Sequence, residues 1–361
     1  MINFMNDYNS PGHPDILRAV AGAAHCKYPG YGDDPVSEIA KQKIVSLLGG
    51  RKDASVHFLA GGTQVNLTAA SAFLRPHEAV VAAGTAHVQV HETGAIEATG
   101  HRILLADEPI SGTGNNRQAA NPGCGKLTAD GVRRVCKRHA GEHMVKPRLV
   151  YISQSTELGG VYSLSELQAL RAACDEYGLL LYMDGARLAI ALTAPGNDAG
   201  LPDIAELCDA FYIGGTKNGL MFGEALVIVN DALNEDFRFM QKQRGGLLAK
   251  GFLLGLQFGA IFEDDLFFKL AEHANKMAAR LRLGLEKLGL RFYVGSLTNQ
   301  IFPVLRDGDV KKLEETFFFE TWETIEDGYT AVRFVTSWNT TEEDVDALLS
   351  AIGKITGSES M

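Results

Sequence analysis

The sequence has little that would build a disulfide, metal or nucleic-acid-binding protein. It holds five cysteines, Cys26, Cys124, Cys136, Cys174 and Cys208. The count is odd and no pair has the short spacing of a zinc site, so neither a disulfide framework nor a metal centre is expected. Basic runs are missing as well. The formal net charge is -10, with a sequence pI near 5.5. That balance argues against nucleic-acid partners and fits an acidic, soluble protein. No apolar stretch approaches the roughly 18 residues needed to span a bilayer, so no membrane partner is expected. The opening MINFMNDYNSPGHPD lacks a basic start followed by an apolar run. It reads as no signal peptide, and the expected location is cytoplasmic. There is no internal repeat. The Gly-, Asn- and Pro-rich stretch Ser111–Gly125 reads as a surface loop within a domain.

What is present is apolar bulk. The chain has 361 residues, 46% of them hydrophobic, enough for a large core. Short apolar runs at Ala79–Ala83, Arg102–Ala106, Leu149–Ser153, Leu179–Met183, Ala210–Ile213 and Ala225–Val229 predict buried strands. Helical patterns lie between several of them; Ser163–Tyr177 opens with SLSE, a capping-box pattern. Alternating β and α elements with strands apolar on both faces predict an α/β fold, with a mostly parallel sheet between helices. From about Gly255 the texture changes. A long helical stretch runs to about Leu288, followed by strand-like LRFYV, NQIFPVL, ETFFFETW and TAVRFVTSW and a final helix over TTEEDVDALLSAIGKI. The predicted division is a large domain over 1–254 and a smaller α+β domain over 255–361.

Ligands on such sheets sit beyond the carboxyl ends of the strands, which directs attention to the residues that follow them. In LLLYMDGARLA a buried strand runs into Asp184 and Arg187. An acid there needs cationic partners or donors to stay ionised; a strand-end acid that merely caps a helix is the plainer alternative. In DAFYIGGTKNG another strand ends in Gly-Gly-Thr216-Lys217-Asn-Gly. Lysines usually decorate surfaces, but one among glycines after a buried strand allows a large ligand to approach a desolvated amine. In FLAGGTQVNLTAA, Gly61, Gly62 and Thr63 open a helix whose free N–H groups suit a phosphate. His87 and His91 follow a strand, where an imidazole can stack on a flat ligand. Asp184 and Lys217 stand 33 residues apart, room for one β-α-β step. A phosphate turn, a histidine, a strand-end acid and a strand-end lysine, in this order, form the set that pyridoxal 5′-phosphate requires: a helix start for its phosphate, a carboxylate for its pyridine nitrogen and a lysine for its aldehyde.

On these residues the sequence resembles fold-type I pyridoxal-phosphate enzymes, and more closely the threonine aldolase / β-eliminating lyase family. The similarity covers most of the chain. NDYNSPGHPDILRA resembles the family's N-terminal segment, and PGYGDDP its Tyr-Gly-acid-Asp-Pro motif. AHVQVHETGAI resembles its His-then-Glu-Gly stretch, YMDGARLA its Asp-Gly-Ala-Arg motif and GGTKNG its cofactor-lysine site. The resemblance implies that Lys217 holds the cofactor as a Schiff base and that Asp184 pairs with the pyridine nitrogen. It places Gly61, Gly62, Thr63 and Thr216 around the cofactor, with His87 stacked on the ring. Arg187 would lie beside the ring, fixing the cofactor or the substrate carboxylate. Arg333 matches an arginine that grips the substrate α-carboxylate, and Asn6 stands where the family has a serine near that carboxylate. Two departures stand out. Gln154-Ser155-Thr156-Glu157 puts Glu157 where the family has a histidine, and QKQRGGLLAKG alters an Arg/Gly-rich segment. The implied reaction is cleavage of a β-hydroxy-α-amino acid to glycine and an aldehyde, with His87, His91, Glu157 or a water as base. β-Elimination, transamination or racemisation on the same cofactor is the alternative. By the same resemblance the protein is a homodimer or homotetramer, in which Tyr31 reaches the neighbour's site.

Overall fold

A computed structural model describes residues 1–51, 53–106 and 124–357. Residues 111–123 of the expected Ser111–Gly125 loop lie outside the described residues. The strands are β1 (Ile2–Asn3), β2 (Ser55–Leu59), β3 (Glu78–Ala82), β4 (Ile103–Leu105), β5 (Lys146–Ser153), β6 (Leu180–Asp184), β7 (Ala210–Gly214), β8 (Glu224–Ile228), β9 (Gln300–Ile301), β10 (Val304–Arg306), β11 (Phe317–Phe318), β12 (Glu320–Glu326) and β13 (Tyr329–Val335). All six apolar runs become strands of one seven-stranded sheet, joined by β2, in the order β2-β8-β7-β6-β5-β3-β4. The pairs from β4 through β7 are parallel, while β8 runs antiparallel to both β7 and β2.

Alternation along each strand splits the core into two layers. Val81, Ile152, Met183, Ile213 and Val227 pack on one side of the sheet. Val80, Tyr151, Tyr182, Tyr212 and Leu226 pack on the other. The covering helices start where side chains satisfy their first N–H groups. Ser163 Oγ accepts from Glu166 N at 3.3 Å, and Ser163 N donates to Glu166 Oε2 at 2.8 Å, the reciprocal bonds of a capping box on Leu164–Tyr177.

A third core gathers Phe4, Met277, Leu281, Leu285, Val332, Phe334 and Leu348 beneath a smaller antiparallel sheet ordered β10-β13-β12. Two expectations differ here. The helical stretch from Gly255 is two helices, Phe252–Ile261 and Leu266–Lys287. Asp264 and Asp265 separate them at φ 48° and 57°, a left-handed conformation that aspartate tolerates better than most residues. LRFYV forms no strand; it makes one isolated bridge, Phe292 to Pro303, and a proline has no N–H to extend the ladder. The parallel β1–β11 pair ties the N-terminus to this core.

Candidate active site

Ser153, Asp184 and Gly214 end β5, β6 and β7 at one edge of the large sheet. A cavity of ≈ 570 Å³ opens there. It is bordered by Gly61, Gly62, Thr63, His87, His91, Glu157, Asp184, Arg187, Thr216, Lys217 and Arg333, so the structure brings these expected residues together. Asn6 does not border it; its Oδ1 accepts from Tyr8 N at 3.1 Å, and Met5 and Tyr8 occupy the rim instead. Tyr31 lies elsewhere, 44% exposed, with Lys242 Nζ 4.4 Å from its ring centroid.

Asp184 is buried and surrounded by donors. Its Oδ2 accepts from the Tyr151 hydroxyl at 2.5 Å and from Asn66 Nδ2 at 3.1 Å. Its Oδ1 accepts from the Tyr212 hydroxyl at 2.5 Å and from Ala186 N at 2.9 Å. Burial pushes its pKa up, but the pull of His87 and these donors outweighs it and holds the carboxyl below its ordinary value. Asn66 Nδ2 also donates to Glu92 Oε1 at 2.7 Å, and His87 Nδ1 meets the same oxygen at 2.7 Å. A carboxylate only accepts, so His87 Nδ1 is the donor in that contact.

Lys217 is half-buried and borders the same cavity. Burial, then the Arg187 charge, lowers its pKa against the opposing pull of Asp7, Asp184 and Glu224. A lysine so placed tends toward the uncharged, nucleophilic amine. Arg187 is gripped by Asp7, Nε to Oδ2 at 2.7 Å and Nη2 to Oδ1 at 3.1 Å. Arg333 rises from β13. Its Nη1 donates to Gln300 Oε1 at 3.2 Å, its Nη2 bonds Glu320, and its guanidinium lies 5.0 Å from the Trp322 ring. Glu157 Oε1 accepts from Ser153 Oγ at 2.8 Å and from His87 N at 3.1 Å. Burial and Asp184 raise its pKa.

The helix Gly62–Phe73 points its start into the cavity, and its N-cap Gly61 makes no side-chain capping bond. A Cβ on Gly62 would stand 2.9 Å from the Tyr212 hydroxyl, so glycine leaves backbone N–H groups open to an anion. A helix start for phosphate, an ionised acid among five polar neighbours and a desolvated lysine in one cavity fit pyridoxal phosphate. Among the described residues, no group of three or more His, Cys, Asp or Glu stands ready for a metal.

Sequence reasoning missed Asp7, Asn66, Glu92 and Glu224. The tyrosines offered one readable signal: Tyr151, Tyr182 and Tyr212 recur inside apolar strands, and buried phenols need acceptors.

Residues 4–307 match the family described as beta-eliminating lyase. A low specificity L-threonine aldolase of Pseudomonas aeruginosa is 32% identical over 98% of both chains. Its counterpart in Saccharomyces cerevisiae is 24% identical, covering 76% of this chain and 67% of that one. The solved threonine aldolase of Leishmania major superposes with a TM-score of 0.93 at 45% identity, covering 99% of this chain and 100% of that one. An aspartate aminotransferase of Thermus thermophilus, 14% identical with a TM-score of 0.69, shares the fold over 98% of this chain and 91% of its own. The chain belongs to the beta-eliminating lyase family, on the fold-type I scaffold of pyridoxal-phosphate enzymes.

Proposed function

We propose that this protein is a pyridoxal-phosphate-dependent aldolase. It cleaves a β-hydroxy-α-amino acid of the threonine or allo-threonine type to glycine and an aldehyde. The carrying observation is that Lys217, Asp184, Arg187, Arg333 and Glu157 border one cavity behind an open helix start. Relatives named as threonine aldolases over nearly the full length support this reaction over β-elimination, transamination or racemisation.

The bound cofactor supplies an electron sink for the bond to be broken. Lys217, as an uncharged amine, would be the nucleophile that condenses with its aldehyde, and Gly62 and Thr63 would take its phosphate at the helix start. Asp184, held ionised, would pair with the ring nitrogen, and His87 would pack against the ring. Arg187 and Arg333 bind the substrate carboxylate and fix which Cα bond faces the reactive side. Glu157, held through Oε1, takes the β-hydroxyl proton as the Cα–Cβ bond breaks. A proton delivered to Cα then completes glycine.

Product analysis with L-threonine, L-allo-threonine and L-phenylserine tests the reaction. Glycine plus aldehyde is expected; ammonia plus a keto acid would replace it with β-elimination. Lys217→Ala is expected to abolish both turnover and the Schiff-base absorption band. A band persisting in that variant would overturn the lysine assignment.

The same reading extends to assembly and location. Tyr31 and Phe239, 44% and 75% exposed, flank a shallow pocket with Asp33, Arg238 and Leu247. Such a patch supports a homodimer or homotetramer in which Tyr31 serves the neighbour's site. Light scattering showing a fully active monomer would remove that role. No helix among the described residues is long and apolar enough to cross a membrane, and we place the enzyme in the cytoplasm.

A further inference from the structure

Glu224 is a cavity carboxyl that the reaction above leaves without a task. It opens β8, the antiparallel strand, so it enters the cavity at the same edge as Lys217. It is buried. Both its oxygens are held by the turn that carries the lysine. Gly215 N donates to Oε2 at 3.0 Å, and the Thr216 hydroxyl donates to Oε1 at 2.8 Å. Thr216 Oγ1 in turn accepts from Gly223 N at 3.0 Å.

A hydroxyl has one proton and two lone pairs. Here the Thr216 proton faces Glu224, and one lone pair remains. With a proton on Glu224 the bond reverses. The carboxylic acid donates to the remaining lone pair, Gly223 keeps the other, and the Thr216 proton is released. Thr216 borders the cavity, so the released proton can face an anion there.

The surroundings put Glu224 near the balance between its two states. Burial pushes its pKa up to about 8, against the donors Thr216 and Gly215 and the charge of Lys217, while Asp184 pushes it further up. The phenols of Tyr182 and Tyr212 share its field. Leu59, its register partner on β2, and Gly61–Gln64 at the nearby helix start bring no charge.

We propose that Glu224 and Thr216 form a proton-coupled anion site: when an organic phosphate enters beside Lys217, Glu224 takes up one proton from solvent and the Thr216 hydroxyl turns from the carboxyl to the phosphate. A second negative charge beside the carboxylate favours its protonation, and by linkage protonation favours the anion. This rests on the cofactor reading above.

The test uses the full-length protein freed of cofactor and 4′-deoxypyridoxine 5′-phosphate, which carries ring and phosphate but no aldehyde. Its affinity is measured by calorimetry across a pH series spanning about 8. In the wild type the Kd should rise with pH above that point, approaching roughly tenfold per unit for one linked proton. Lys217 also loses charge as pH rises, in every variant, so only the difference between proteins belongs to Glu224. Glu224→Gln should flatten the rise by that one-proton component. If Glu224→Gln fails to fold, Thr216→Val carries the test, because it removes the hydroxyl that reads the proton; it too should flatten the profile. Profiles identical to the wild type in the variants overturn the proposal alone. No binding of the analogue at any pH overturns it together with the cofactor reading.

Discussion

Asp184 and Glu157 border one cavity, and their environments push their pKa values apart. Four donors and the field of His87 hold Asp184 down, as an acid that must stay charged under a protonated ring nitrogen requires. Glu157 has the Ser153 hydroxyl and the His87 N–H on one oxygen, and burial together with Asp184 raises it. That separation suits one carboxyl that stays charged and one that gains and returns a proton. The base works only when ionised. Activity should therefore fall as pH drops through the raised Glu157 value. Glu157→Gln keeps an oxygen for Ser153 and His87 but cannot take a proton. It should lower kcat by about 10²- to 10⁴-fold and remove that acidic limb from the pH–rate profile. A loss smaller than about tenfold with the limb intact would shift the proton to His91. Burial, then the fields of His87 and Arg333, lower the His91 pKa and leave it a neutral acceptor.

At the scale of elements, the site follows from strand direction. Parallel strands β5, β6 and β7 deliver their carboxyl ends to one edge. That is why Asp184 and Lys217 were legible in the sequence: Asp184 ends one apolar run, and Lys217 follows another after Gly-Gly-Thr. Glu224 was not, because β8 runs the other way and carries the residue at its start. Sequence pattern reveals where a strand lies but not which way it points. Glu92 and Asn66 were hidden for another reason: both sit on helical or turn segments and act only through the His87 and Asp184 they touch. Close approach of elements also demands glycine. A Cβ on Gly185 would lie 1.8 Å from the Tyr212 carbonyl oxygen, so β6 and β7 could not keep their contact. At Gly62 the clash is milder, 2.9 Å from the Tyr212 hydroxyl, and it falls on a donor to Asp184. Gly62→Ala should therefore fold, yet bind the cofactor roughly tenfold more weakly, the loss of about one hydrogen bond to a charged group. Fluorescence titration with pyridoxal phosphate checks this, and unchanged affinity would mean that Tyr212 yields to the methyl group without loosening the hold of Asp184 on the cofactor.

At the scale of the molecule, the N-terminal segment joins the two halves of the site. β1 pairs with β11, Phe4 fills the third core, and Phe4 O accepts from Val335 N at 2.8 Å. Three residues later Asp7 reaches the other half. It holds Arg187, just beyond β6, through two bonds, and accepts from Asn299 Nδ2 at 2.9 Å. Asp7 thus links Arg187, beside the large sheet, to Asn299, next to β9, while Arg333 on β13 is held separately by Gln300 and Glu320; the spacing of the two arginines sets what carboxylate they can grip. The sequence displayed both arginines in apolar strand contexts; Asp7, in a segment without periodicity, gave no sign that it would hold Arg187 against Asn299. Burial raises the Asp7 pKa, but Arg187, Lys217 and the bonds from Arg187 and Asn299 outweigh it and leave the value depressed. A carboxyl depressed on folding contributes stability above its unfolded value, near about pH 4, and loses it as pH falls through the folded value. Asp7→Ala leaves the buried guanidinium uncompensated, which costs about 3–5 kcal/mol. Denaturant unfolding at neutral pH should show that loss, and the variant's stability should fall less steeply in acid than the wild type's. Substrate KM should rise as well, since Arg187 is no longer fixed. A variant that lost under about 1 kcal/mol, the range of an exposed pair, would mean that the two halves are aligned by their cores alone and that Asp7 only accompanies Arg187.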